Sequence, residues 1–257
     1  MTANIPLSLL DQLHEITVRA GKAIMDVYNT DFEITSKDDA SPVTKADKIA
    51  EEIIITALKN EIRTPYPIVG EEAYSEGLAP TEVGSTFWLV DPLDGTKEFI
   101  NRNGEFTVNI ALIDSARPVL GFVYAPAKGR IYVGSPHGAA ADIDGKGLKQ
   151  INCRQMPEKG LSALVSRSHK SPEVDGFLES YDIAMEISAG SSLKFCLVAS
   201  GDADIYPRMG RTMEWDTAAG HAVLSAAGGS VKDLNGKDLF YGKPGFENPH
   251  FVAYGKQ

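Results

Sequence analysis

The chain has 257 residues, 43% of them hydrophobic, which is enough to bury a sizeable core in one large α/β domain or in two lobes sharing an interface. A net charge of −10 argues against a broad nucleic-acid-binding face, because clustered Lys and Arg are needed to neutralise phosphates, so no nucleic acid polymer is expected as a partner. Two cysteines, Cys153 and Cys196, with no CxxC pair and no histidine cluster nearby, argue against a disulfide framework and a zinc site.

The opening MTANIPLSLLDQLHE lacks a basic segment followed by a long apolar one, and no run approaches the roughly 20 apolar residues that span a bilayer. A cytoplasmic protein is expected, with peripheral membrane contact left open. Residues 7–28 carry Leu9, Leu10, Leu13, Ile16, Thr17, Ala20, Ile24 and Val27 at helical spacing. A second helix is predicted over Ala46–Lys59, with Ile49, Ile53 and Ala57 inward. The polar stretch between them, DFEITSKDDASPVTKAD, contains Pro42 and reads as a loop long enough to form a flap.

From Thr86 the period becomes that of strands: TFWLVD, FTVNIALID, PVLGFVYAP and RIYVGS, separated by turn residues, predict an antiparallel meander, and GAAADIDGKGLK a further hairpin. After about residue 155 elements alternate. LSALVS, IAMEIS and ADIYPR read as strands, and SPEVDGFLESY (Ser171 as N-cap, Pro172 at N1), SSLKFCLVASG and EWDTAAGHAVLSAAGG as helices. The expectation is an α+β first lobe, residues 1–155, and an α/β second lobe, residues 156–257.

Within WLVDPLDGTKEF, Asp91 leaves a buried strand, Pro92 is expected to end its ladder, and Asp94 follows three residues on. Two carboxylates and the Leu93 carbonyl facing one pocket would give the hard oxygen ligands that Mg²⁺ prefers. Thr96 is placed to cap a short helix, KEFIN, whose free amides favour a phosphate. Taken singly, these are ordinary turn and cap residues, as is Asp47 near the second helix and Asp216 at the start of TAAGHAVLSAA. Jointly, with Glu71 and Glu72 after the short strand ending at Gly70, they put acids repeatedly at strand ends and helix starts, where sites form.

In AGSSLKFC, Ser191 is a good N-cap, yet Lys194 falls in the first helical turn, against the helix dipole. A bound anion would remove that conflict, whereas a solvent-exposed lysine would cost only a few tenths of a kcal/mol. SRSHKS offers Arg167, His169 and Lys170 as a second anion contact.

Together, VTKAD at 43–47, GEE at 70–72, DPLDGT at 91–96 and EWDTAAG at 214–220 resemble the signatures of the inositol monophosphatase superfamily of Mg²⁺-dependent, lithium-sensitive phosphatases. DGTKEF at 94–99 is similar to its 3'(2'),5'-bisphosphate nucleotidase branch, whereas inositol monophosphatases typically read DGTTNF there; SRSHKS and GSSLKFC resemble that branch too. The resemblance implies a layered αβαβα sandwich of the sugar phosphatase type, with the active site between two lobes. It also implies two or three Mg²⁺ ions and a small nucleotide, adenosine 3',5'-bisphosphate, as substrate. By the same resemblance Glu71, Asp91, the Leu93 carbonyl, Asp94 and Asp216 hold metal, while Asp47 and Thr96 orient and deprotonate the attacking water. Gly95 and Thr96 amides, with Asp216, contact substrate, and Ser166, His169, Gly190 and Lys194 hold the nucleotide. The alternatives are an inositol or sugar-phosphate phosphatase of the same superfamily, or a non-catalytic module binding a divalent cation or a nucleotide. A monomer and a homodimer are both compatible with the sequence.

Overall fold

Apolar residues at helical spacing form α1 (Leu7–Tyr28), and the computed structural model then pairs β1 (Ile34–Ser36) antiparallel with β2 (Pro42–Thr44) before α2 (Lys45–Asn60). The structure describes residues 5–32, 34–36, 42–168 and 171–257. The polar stretch expected as a loop therefore holds a short two-stranded ribbon in its described residues. Next come β3 (Ile68–Gly70), α3 (Glu71–Ser75), β4 (Thr86–Asp94), α4 (Thr96–Ile100), β5 (Thr107–Asp114) and β6 (Arg117–Ala125). Three further strands, β7 (Arg130–Ser135), β8 (Gly138–Ile143) and β9 (Lys149–Ile151), complete a seven-stranded sheet in sequential order from β3 to β9. Every neighbouring pair in it is antiparallel except β3 and β4, which run parallel.

The remainder comprises β10 (Leu161–Ser166), α5 (Pro172–Leu178), β11 (Ile183–Ala189), α6 (Leu193–Ala199), β12 (Ile205–Arg208), α7 (Glu214–Ala226), β13 (Ser230–Asp233) and β14 (Phe251–Tyr254). They build a five-stranded sheet in the order β11-β10-β12-β14-β13. Its first three strands are parallel and its last two run antiparallel to their neighbours, so the α/β expectation holds for one side of a mixed sheet.

Alternation along β4 explains the layering, because successive side chains face opposite sides of a sheet. Trp88 and Val90 join α1 and α2 in one core, while Phe87 and Leu89 face α6 and α7 in another. That second core also takes in Leu164, Tyr206 and Phe251 from the smaller sheet, and α5 covers the sheet's far side through Val174 and Leu178. The order is helices, sheet, helices, sheet, helix, the layered sandwich that the resemblance implies. Among the described residues no helix is long and apolar enough to cross a membrane.

Helix α7 lies between the sheets and is buried along nearly its whole length. It approaches the larger sheet backbone to backbone: a Cβ on Gly121 would lie 2.4 Å from the Ala219 carbonyl, and one on Gly134 would lie 2.4 Å from the Val223 Cα. Overpacking of this kind costs about 1–3 kcal/mol. Gly134→Ala is expected to lower Tm by roughly 3–10 °C in a thermal melt followed by circular dichroism.

Candidate active site

Strand β4 does not end at Pro92. Asp91 lies opposite Asn109 and Asp94 opposite Thr107, so the ladder continues to Asp94 across a bulge. Proline, which has no N–H to give, is tolerated there because the ladder needs no donor at the bulged position. The Asp91 carboxylate accepts the Leu93 N–H at 3.0 Å, which closes the turn and leaves Asp91, Leu93 and Asp94 facing the same cavity. Gly95 follows at φ 89°, a left-handed conformation that favours glycine, and is itself the N-cap of α4. Thr96 is thus the first helical residue rather than the cap, and its hydroxyl is free to turn inward.

The cavity holds roughly 440 Å³ and is lined by residues from both sheets. Of the sequence-predicted residues, Glu71, Asp91, Leu93, Asp94, Gly95, Thr96, Ser166, Lys194 and Asp216 line it. Asp216 stands in the first turn of α7, not at its N-cap, and its carboxylate accepts the Met213 N–H at 2.8 Å. Gly190 is not among the lining residues. Its N–H donates to Glu105 at 2.8 Å, and a Cβ there would lie 2.7 Å from Glu98 Cγ, so close packing requires the glycine. Arg167 spends its guanidinium on Glu105, at 2.7 and 3.0 Å, and on the Ser188 carbonyl. His169 and Lys170 lie outside the described residues.

Asp47 sits behind Thr96, buried. One oxygen accepts the N–H and the hydroxyl of Thr44, at 2.8 and 2.7 Å, and the other lies 3.4 Å from the Thr96 hydroxyl. The same hydroxyl is 3.4 Å from the Leu93 carbonyl, so its single proton has two acceptors. Asp47 is therefore the third helical residue of α2, tied reciprocally to the Thr44 cap, and not a cap itself.

Charge is concentrated on the cavity floor. Burial, then Glu71, Asp94 and Asp216, push the Asp91 carboxyl well above its usual range, and burial with Asp94 and Glu71 does the same to Asp216. Asp94 is pushed up to about 6, chiefly by burial and against the opposing pull of Lys194. Asp91 is also hydrogen-bonded to Glu71, an arrangement of two carboxyls that needs a proton or a cation between them. Among the described residues no three acidic, His or Cys side chains are grouped closely enough to hold a metal ion by themselves. Hard oxygen donors from several carboxylates and the Leu93 carbonyl, with mutual repulsion among the acids, fit a divalent cation that also takes water or a substrate oxygen.

Lys194 lines the cavity and is not a solvent-exposed lysine. It is buried in the first turn of α6, donating to the Ser191 and Ala189 carbonyls at 2.6 and 3.3 Å and lying over the Tyr206 ring. Burial brings its ammonium down to about 8, while Asp94 opposes the shift. Ser191 is not the cap of this helix: it takes φ 46°, and Ser192 occupies the cap position with its hydroxyl bonded to Asn109 and Thr107 instead.

Arg208 lines the cavity and was not anticipated. It ends β12 beside Ser166, to which it donates at 3.3 Å, and its Nε is buried with no acceptor among the described residues. The signal for it is a charged residue at the C-terminal end of a parallel strand, where α/β sheets gather their ligands.

A model of the inositol monophosphatase family matches residues 7–254. The 3'(2'),5'-bisphosphate nucleotidase CysQ of Escherichia coli K12 is 46% identical over 246 residues, spanning 95% of this chain and 98% of that protein. CysQ of Buchnera aphidicola is 40% identical over 255 residues, or 97% and 95% of the two chains. Among solved structures, CysQ from Bacteroides thetaiotaomicron aligns with a TM-score of 0.80 at 37% identity, covering 97% of this chain and 98% of that one. The Thermotoga maritima IMPase shares the fold, with a TM-score of 0.78 at 22% identity over 95% and 91%. The chain belongs to the inositol monophosphatase family.

Proposed function

We propose that the chain is a Mg²⁺-dependent phosphomonoesterase that hydrolyses the 3'-phosphate of adenosine 3',5'-bisphosphate to give AMP and inorganic phosphate. The observation that carries this reading is one cavity with two kinds of wall: the acids Glu71, Asp91, Asp94 and Asp216, and the cations Lys194 and Arg208. A nucleotide with two phosphates satisfies both. The relatives named bisphosphate nucleotidase CysQ, similar over nearly the full length, support the same substrate class.

Glu71, Asp91, the Leu93 carbonyl, Asp94 and Asp216 would hold Mg²⁺, which supplies charge neutralisation and lowers the pKa of bound water. Water attack makes a new P–O bond as the P–O3' bond breaks, so one proton must leave the water and one must reach the ribose oxygen. Thr96 accepts the first on its hydroxyl oxygen while passing its own proton to Asp47, whose carboxylate the Thr44 contacts hold in place, and the leaving ribose oxygen takes the second from solvent water in the open cavity. The amides at Gly95 and Thr96, which have no acceptor within α4, face the phosphoryl oxygens. A protein that only binds a cation or a nucleotide would not require the Asp47–Thr96 pair.

Lys194, Arg208 and Ser166 form the nucleotide side. Arg208→Ala and Lys194→Ala are each expected to raise KM for adenosine 3',5'-bisphosphate by about 10-fold or more, with a smaller rise for a simple monophosphate such as inositol 1-phosphate. Steady-state phosphate release on both esters decides the matter. Equal effects on the two would remove these residues from substrate recognition.

A further inference from the structure

The GEE run at 70–72 contributes a ligand through Glu71, but that role does not explain why a glycine precedes it or what holds the five-residue helix α3 in place. A helix this short is not stable alone, and its N-cap, Gly70, has no side chain with which to satisfy the first amides. The acceptor comes from another helix. Glu51 of α2, 5% exposed, spreads its carboxylate over the start of α3: one oxygen accepts the Glu72 N–H and the other the Ala73 N–H, each at 2.8 Å. Such charge-assisted bonds at a helix start are among the stronger ones available.

Gly70 is explained by the same contact. Its φ of −102° suits any residue, so the requirement is space: a Cβ would lie 2.5 Å from Glu51 Oε2 and 2.6 Å from its Cδ. Glu51 is also one helical turn from Asp47, so both carboxylates leave the same face of α2. One reaches Thr96 at the head of α4, and the other grips the head of α3, whose first residue is Glu71.

We propose that Glu51 is a positioning residue that fixes the Glu71 carboxylate in the active site by clamping the first amides of α3, and that Gly70 is required for that clamp to close. This rests on the reading of Glu71 as a cation ligand. The clamp and the general-base pair thereby share one rigid helix.

Direct titration of the purified full chain with Mn²⁺, by calorimetry or electron paramagnetic resonance, tests the proposal alongside kinetics. Glu51→Gln keeps the shape and one acceptor, and it is expected to weaken Mn²⁺ binding by roughly 10–100-fold and lower kcat, with KM for the bisphosphate within about twofold at saturating Mg²⁺. Gly70→Ala, which pushes Glu51 aside without removing it, should reproduce this pattern. The control is Asp204→Asn: Asp204 is a fully buried carboxylate that accepts the Ser162 N–H and pairs with Arg154 far along the chain, so its loss should lower Tm and leave Mn²⁺ affinity at the wild-type value. The proposal is overturned if Glu51→Gln and Gly70→Ala lower Tm like the control yet bind Mn²⁺ as tightly as wild type. If the wild-type chain itself binds no Mn²⁺, the assignment of Glu71 as a ligand fails, and the clamp's purpose fails with it.

Discussion

Asp94→Asn is expected to lower kcat by on the order of a thousandfold while the protein stays folded and, freed of metal, melts at a higher temperature than wild type. The loss in rate reflects the removal of one anionic oxygen from a buried site, worth about 4 kcal/mol when charge develops against it. The gain in stability follows from the raised carboxyl. A group pushed from 3.8 to about 6 by burial is roughly 3 kcal/mol less stable as an anion inside the fold than in the unfolded chain. The sign is that of a raised acid: protonated Asp94 favours folding below its unfolded pKa, and this contribution is lost as pH rises through about 6. Asparagine has no such charge, so the difference in Tm should be largest near neutral pH, shrink as pH falls from about 6 towards 3.8, and level off below that. Melting curves in EDTA across pH, paired with Mg²⁺-dependent phosphate release, test both halves. Near-normal turnover in the folded variant would remove Asp94 from the site.

The second large effect concerns Asp47 and Thr96. Among the described residues the Thr96 hydroxyl has Asp47 and the Leu93 carbonyl as acceptors, so the proposed removal of a proton from water requires the two residues to act as one unit. Asp47→Asn and Thr96→Val are each expected to lower kcat by about 10²–10⁴-fold with little change in KM. The double variant should be scarcely worse than either single one, since removing one member already breaks the relay. Multiplicative losses in such a cycle would mean that the two act independently. Asp47 also ties the start of α2 to Thr44, so Asp47→Asn should lower Tm by a few degrees where Thr96→Val does not.

The long elements were legible because their periodicity is strong. The 22 residues of α1 and the alternating runs of β4 to β7 match their predicted spans within a few positions. Short elements were legible only beside a turn or cap signal: the strand ending at Gly70 and the helix at KEFIN match β3 and α4. Helix α3 has five residues, and β13 and β14 four each, too few for a period to rise above composition. The floor acids could be named because turn and cap chemistry announces strand ends, but local rules misassigned Thr96 and Ser191 as caps. In both places the adjoining residue, Gly95 or Ser192, holds the position, and the hydroxyl or backbone is committed to the site instead.

What sequence reasoning missed depends on distant partners. Lys194 is legible from its place in a first helical turn and from the resemblance, but its burial is not, because Asp94, two carbonyls and the Tyr206 ring are what make that position tolerable. Arg208 and Glu51 are invisible for the same reason: one is defined by Ser166 of a neighbouring strand, the other by amides 21 and 22 residues away. Pro92 misled because proline usually ends a ladder, and only the register between β4 and β5 reveals the bulge that accommodates it.

A metal-dependent phosphatase whose cavity reads a second phosphate should discriminate among phosphate esters. Phosphate release from adenosine 3',5'-bisphosphate, inositol 1-phosphate and fructose 1,6-bisphosphate, each with Mg²⁺, with Mg²⁺ plus Li⁺, and with EDTA, tests it most directly. The highest kcat/KM is expected on adenosine 3',5'-bisphosphate, with AMP as the nucleotide product and no turnover in EDTA. A preference for the inositol ester, or full activity without a divalent cation, would contradict it.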